Sequence, residues 1–250
     1  MRKILLSITI LLTSIVALHA QDTTFTKPTI SKKVKDRITK AKDRLVIDLC
    51  MMNAIIKKDD VFVPKDFKLQ GFNRGINVYF MYGFGLGKKK NFSIAPGIGF
   101  ASENFYFKKY RLNWHKDSVT TFIPFGDSIA SKTSKLGLTY IDIPIEVRYI
   151  SKPSSKTGMS WKLAAGFKIG FLIGSKWKYK GEDWQANDGE SIKTQDFKVG
   201  NLNKFRYGVT LRGGYGPVSL FGYYSLSNTF VKNKGPQFNP IVFGISLNGL

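Results

Sequence analysis

The chain has 250 residues, of which 43% are hydrophobic and 14% aromatic, and its 39 Lys plus Arg against 17 Asp plus Glu give a formal charge of +22. A single cysteine, Cys50, excludes an internal disulfide, so the fold cannot be one of the small stapled secreted scaffolds. So basic a chain attracts phosphate, but it carries no nucleic-acid-binding motif; for an exported protein the expected counter-ion is the phosphate-bearing lipid surface of an envelope.

Export is read from the N-terminus. Arg2 and Lys3 precede an apolar run from Ile4 to Leu18, and Ala20 meets the polar Gln21-Asp22-Thr23-Thr24, the layout of a secretory signal peptide spanning 1–20. The run is too short and too interrupted by Ser and Thr to be a spanning helix, which needs about 20 apolar residues. Residues 21–43 show no strand pattern. Val34, Ile38, Ala41 and Leu45 recur at helical spacing among lysines, and Ser31 to Arg44 holds seven Lys or Arg against Asp36 and Asp43, so a basic periplasmic arm is expected. Beyond the signal no apolar run is long enough for a membrane helix.

From residue 44 to 250 the period changes to two. Eight segments alternate: Arg44 to Met52, Gly75 to Leu86, Phe92 to Phe105, Leu138 to Ile150, Ser160 to Gly174, Lys204 to Gly214, Val218 to Leu226 and Ile241 to Leu247. The clearest is Tyr140 to Tyr149, where Ile141, Ile143, Ile145, Val147 and Tyr149 alternate with Asp142, Pro144, Glu146 and Arg148. One face is oil and the other is charge, so the strand must lie between an apolar phase and a polar interior. In the fifth segment Trp161, Leu163, Phe167, Phe171 and Ile173 oppose Lys162, Ala164, Gly166, Lys168 and Gly170. Lysine inside and phenylalanine outside inverts a soluble core, and a soluble protein would have to expose that aromatic band to water.

The connections sort by length. Asn53 to Arg74, Tyr106 to Gly137, Ser175 to Asn203 and Ser227 to Pro240 are long, whereas Gly87 to Asn91, Ser151 to Met159 and Tyr215 to Pro217 are short. Long external loops against short periplasmic turns mark an eight-stranded antiparallel up-and-down transmembrane β-barrel of the outer membrane, all-β, with both ends of the chain on the periplasmic side. Tyr149, Trp161, Tyr207 and Tyr215 are expected at the periplasmic girdle. The third segment breaks the pattern: Pro96 interrupts it, and Phe105 and Phe107 fall on the inner parity, so a bulge near Pro96 or above Ser102 is expected. The seventh is ambiguous, with bulky residues on both parities from Leu220 to Tyr224.

Eight strands leave an interior just wide enough for side chains, so a solute pore is not expected. The inward set Asp48, Asp142, Glu146, Arg148, Lys162, Lys168, Lys204, Arg206 and Arg212 is expected to pair as a charge network that fills it, because unpaired buried charges are costly. Cys50 falls on the same face and reads as inert packing. His115 stands beside Asp117 and Ser118, but adjacency in sequence does not make a triad. No His or Cys spacing fits a metal, no catalytic residue is assigned, no cofactor is implied, and the reading is non-enzymatic. In the long connections Lys108, Lys109, Lys176, Lys178 and Lys180, with Trp177 and Tyr179 seated at the interface, are candidate contacts to the phosphorylated head groups of outer-membrane lipid, lipopolysaccharide included.

The strand Leu138-Thr-Tyr-Ile-Asp-Ile-Pro-Ile-Glu-Val-Arg-Tyr149 resembles the central signature of the PorT-type outer-membrane β-barrel domain family of Bacteroidota. Phe92-Ser-Ile-Ala-Pro-Gly-Ile-Gly-Phe100, Ala164-Ala-Gly-Phe-Lys-Ile-Gly170, Lys204-Phe-Arg-Tyr-Gly-Val-Thr210 and Tyr223-Tyr-Ser-Leu-Ser-Asn228 resemble its other strands. The resemblance implies a barrel in the bacterial outer membrane with a structural or lipid- and surface-interaction role. The alternative it carries is an accessory barrel subunit of a type IX protein-export complex, with envelope or export proteins as partners.

Overall fold

Alternation of apolar and polar residues drives each segment into an extended ribbon, and the ribbons close on one another. The computed structural model describes residues 45–57, 62–64, 66–87, 91–107, 109–114, 119–126, 129–185 and 189–248. The expected signal peptide and basic arm, and His115 with Asp117 and Ser118, lie outside the described residues.

Twelve strands are formed among the described residues: β1 (Leu45–Ile56), β2 (Asn73–Met81), β3 (Phe84–Leu86), β4 (Phe92–Phe107), β5 (Tyr110–Asn113), β6 (Thr121–Pro124), β7 (Ser131–Ile150), β8 (Trp161–Glu182), β9 (Ser191–Phe197), β10 (Phe205–Tyr215), β11 (Val218–Ser225) and β12 (Phe238–Asn248). Eight of them form an antiparallel ring in chain order, β1-β2-β4-β7-β8-β10-β11-β12, with β12 pairing back onto β1. This is the expected up-and-down barrel. Among the described residues no helix is long and apolar enough to cross a membrane; strands do the crossing.

The outward face is an apolar belt. Ile76, Val78 and Phe80 on β2, Ile98 and Phe100 on β4, Ile143, Ile145 and Val147 on β7, Leu163, Phe167, Phe171 and Ile173 on β8, and Val209 and Leu211 on β10 are all exposed. At the end with the short turns aromatic rings edge the belt, Trp161 with Tyr215 at 5.2 Å and Phe92 with Tyr149 at 5.1 Å. Tyr207 is not among them. Since β10 runs antiparallel to β8, Tyr207 pairs with Ile169 toward the end with the long connections, beside Phe205 and Phe167. The tightest turn, Tyr215 to Val218, has Gly216 at φ 60 followed by Pro217, as a type II′ hairpin demands.

The register corrects the expected bulge and the expected strand ends. No bulge shifts β4 against β7: the pairing holds one register from Phe92↔Tyr149 to Phe107↔Ser134. Phe105 and Phe107 truly point inward and are fully buried. Pro96 instead breaks the partner ladder, because it has no N–H to give; β2 ends at Met81, β3 resumes at Phe84, and Tyr82 N–H still donates to the Pro96 carbonyl at 2.8 Å. The β7–β8 register shifts at two places instead: at Lys132 in β7, between the pairs Ser131↔Gly181 and Thr133↔Lys180, and at a bulge in β8, where Ile173 is the extra residue between Thr139↔Gly174 and Tyr140↔Leu172. It reverses the parity of everything beyond it. β7 and β8 also run past their expected ends, beginning at Ser131 and finishing at Glu182, and β9 extends that sheet. In β11 the ambiguity resolves with Phe221 and Tyr223 inward and Leu220 and Tyr224 outward.

Val209 faces outward opposite Phe167, within the apolar belt. Val209→Arg is expected to cost about 2–4 kcal/mol in lipid, and Val218→Arg at the rim about 0–1. Urea unfolding in bilayers measures both, and equal costs would show that the belt is not where we place it.

Candidate functional site

Inward side chains divide into two storeys. The lower storey, toward the short turns, is ionic. Arg206 on β10 reaches across the lumen to Asp142 on β7, its Nη2 donating to both carboxylate oxygens at 3.0 and 2.8 Å, and its Nη1 donates to Glu103 on β4 at 2.6 Å. Lys168 on β8 lies 3.2 Å from Asp142, which also accepts the Tyr79 hydroxyl at 2.9 Å. Arg212 on β10 pairs with Asp48 on β1 at 2.8 Å and with Glu146 on β7 at 3.5 Å, and Arg148 holds Glu146 at 2.9 Å. Ser246 also accepts from Arg212. These ion pairs join four carboxylates to four cations, all buried, so the storey is formally neutral.

Aromatic rings complete it. The Arg206 guanidinium stacks 3.6 Å from the Tyr140 ring centre and the Lys168 ammonium sits 3.8 Å from that of Tyr223. Inward glycines leave the space: a Cβ on Gly170 would collide with the Asp142 carboxylate and come within 2.8 Å of Arg206 Nε. Two further residues of the expected network are not among the ion pairs just described. Lys162 is half-buried at the short-turn mouth, lining a recess with Arg148, Arg212 and Asn248. Lys204 is exposed just ahead of β10.

The upper storey is apolar. Phe105, Phe107, Leu136, Leu138, Trp177, Tyr179, Phe230 and Phe238 are buried in one cluster that also takes Phe122 from the β5-β6 hairpin. Phe122 packs edge-on against Phe107 at 4.7 Å and Tyr179 edge-on against Trp184 at 4.6 Å. The long connections are tied together over it: Thr120 N–H donates to the Lys234 carbonyl at 2.9 Å, Asn201 Nδ2 to Thr120 Oγ1 at 3.0 Å, and Phe122 N–H to the Phe62 carbonyl at 3.2 Å. Four separate connections thus form one cap.

Trp177 and Tyr179 are corrected as interface contacts. The Ile173 bulge turns them into the cap, where Trp177 Nε1 donates to Ser134 Oγ at 3.1 Å and the Tyr179 hydroxyl donates to the Glu182 carbonyl at 2.7 Å. The same reversal turns Lys176, Lys178 and Lys180 outward, with Lys176 and Lys180 exposed and Lys178 half-buried. Lys109 is exposed, and Lys108 lies outside the described residues. Glu103 was missed by sequence reasoning, although its parity with Phe105 and Phe107 places it inside once no bulge is invoked.

Residues 56–231 match the family model described as outer membrane protein beta-barrel domain, and the chain belongs to that family. It is an integral β-barrel protein of the bacterial outer membrane, and the long-connection end therefore faces outward. Among solved structures it is similar to Ail, the attachment invasion locus protein of Yersinia pestis, at 12% identity over 83% of this chain and 98% of that one, with a TM-score of 0.36. Ail in complex with the heparin analogue sucrose octasulfate gives 12% identity, 82% and 97% coverage and 0.34. A mutant porin of Rh. blastica gives 7% identity, 82% and 98% coverage and 0.18. The comparison with curated proteins gives no match.

Asp142→Ala leaves Arg206 and Lys168 facing each other without their shared carboxylate. The expected cost is about 3–5 kcal/mol, against no measurable cost for Lys204→Gln. Urea midpoints in detergent or lipid read both; a silent Asp142→Ala would remove the network from the account of stability.

Proposed function

We propose that the protein is a sealed, non-enzymatic barrel whose role is structural and exercised at the outer surface, through contact with outer-leaflet lipid rather than passage of solute. The supporting observation is the filled lumen: a neutral ion network below and an aromatic cap above occupy the space a solute would need. Its charged groups are held by one another and by tyrosines, so among the described lumen residues no carboxylate pair stands free for acid-base work. The exposed Lys109 and the outward lysines Lys176, Lys178 and Lys180, with Lys108, supply the lipid contacts. On the motif in β7 we place the chain with the PorT-type barrels of Bacteroidota, exported by residues 1–20 and carrying 21–43 as a periplasmic arm.

Recordings in planar bilayers test the seal. The purified barrel is expected to show no stepwise conductance; stable open-channel currents would overturn the proposal.

A further inference from the structure

The Ile173 bulge has a second effect, on charge. Beyond it β7, β8 and β9 form a sheet whose outward face carries Lys135, Lys176, Lys178, Lys180 and Lys193, with Arg74 two strands away on β2. The register sets Lys135 directly opposite Lys178 and Lys180 directly opposite Lys193. Like charges directly opposite on one face of a sheet destabilise it. Among the described residues none of these six cations makes an ion pair; the ion pairs are in the lumen. Of the neighbouring acids, Asp196 lies opposite Trp177, on the cap side of the sheet, and Glu182 accepts the Ala130 N–H at 2.9 Å.

Part of the patch is already organised. Lys135 Nζ donates to Asn104 Oδ1 at 2.9 Å, and both Lys135 and the Arg74 guanidinium lie against the Tyr106 ring, at 5.3 and 5.7 Å from its centre. Gly137 lets Lys176 fold across β7; a Cβ there would come within 3.2 Å of Lys176 Cγ and 3.4 Å of Asn104 Oδ1.

Position selects the ligand. On β8 the last outward apolar residue is Ile173, and Lys176 follows three residues on, about 10 Å along the strand at 3.3 Å per residue. Phe100 and Ile98 lie below Asn104 on β4, and Ile76 and Val78 lie below Arg74 on β2. The cations therefore begin where the hydrocarbon belt stops, at head-group height on the outer side. We infer that Arg74, Lys135, Lys176, Lys178, Lys180 and Lys193 form a single polyphosphate site that takes the phosphate groups of lipopolysaccharide, with the acyl chains lying on the belt beneath. Arg74 offers a bidentate fork and the lysines offer point charges, which suits several phosphates on one lipid. The inference rests on the surface reading proposed above and adds its residues and ligand.

The like-charge pairs give the test a sign. The full-length mature barrel and its Lys178→Gln/Lys193→Gln variant are folded into two bilayers, one of phosphatidylcholine alone and one containing lipopolysaccharide with its phosphates intact. Glutamine keeps much of each aliphatic stem on a solvent-facing position, so both proteins fold. In phosphatidylcholine the variant is expected to unfold at an equal or higher urea concentration, because repulsion has been removed. With lipopolysaccharide the order reverses, and lipid retained through purification falls about tenfold with the loss of two solvent-exposed charge contacts. The same order in both bilayers, or undiminished retention, would overturn this site while leaving the sealed barrel standing. A wild-type barrel that retains no phosphorylated lipid would overturn the surface reading as well. Equal stabilisation by free inositol hexakisphosphate in phosphatidylcholine would also overturn the inference, since the site would then be one for a soluble polyanion.

Discussion

Everything in this structure depends on the closure of β12 onto β1, which runs from Val46↔Asn248 to Ile56↔Phe238. Within hydrocarbon an unpaired strand edge has no water to bond with, so a sheet can cross a membrane only as a closed ring. Closure at eight strands then fixes the interior at about the width of packed side chains. Each inward side chain meets its neighbours across the lumen, and a charge placed there must find its counter-charge within a few ångströms or be lost from the fold.

That constraint explains why the lumen divides into storeys. In the lower one, Gly170 stands opposite Arg206 and Gly208 opposite Lys168, so a thin residue on one strand accommodates a thick one on the next. Arg206 bridges three strands, joining β10 to β7 and β4, and Arg212 joins β10 to β1 and β7. Desolvating such charges is expensive, and their attraction offsets it only where the geometry is good and the remaining lone pairs are satisfied. A cross-lumen network is therefore weaker as a source of stability than as a fixer of register, since sliding any strand by one residue would separate the pairs and flip its side chains. In the upper storey the strands leave the hydrocarbon. Their interior becomes an ordinary apolar core, and the outward face, freed from lipid, turns to lysine.

Much of this is written in the sequence. The eight ring strands and the sorting of connections by length are legible because lipid imposes a two-residue period on the belt portion of the strands. Asp142, Glu146 and Arg148 are legible as inward for the same reason. The reading failed where the solvent changes. Phe105 and Phe107 looked misplaced because a polar interior was assumed along the whole strand, and that assumption also hid Glu103. Trp177 and Tyr179 were assigned to lipid because a single extra residue, Ile173, leaves no mark in the pattern: beyond it the aromatics continue on the odd parity and the lysines on the even, as they would if the outward face ran on unchanged. The pairing of Lys180 with Lys193 depends on β9, which lies in a segment that sequence alone read as loop.

The chain carries its own probe of the central claim. Cys50, its only cysteine, faces inward between Asp48 of the ion network and Met52 of the cap, and is 4% exposed. A charged, water-soluble thiol reagent should be applied to the folded barrel in lipid vesicles, from each side in turn, and labelling followed by mass spectrometry. A lumen filled in both storeys gives no labelling from either face until urea unfolds the barrel, after which modification is complete. Rapid labelling of the folded protein from either side would mean that water and solute reach the middle of the lumen, and the sealed barrel described here would be wrong.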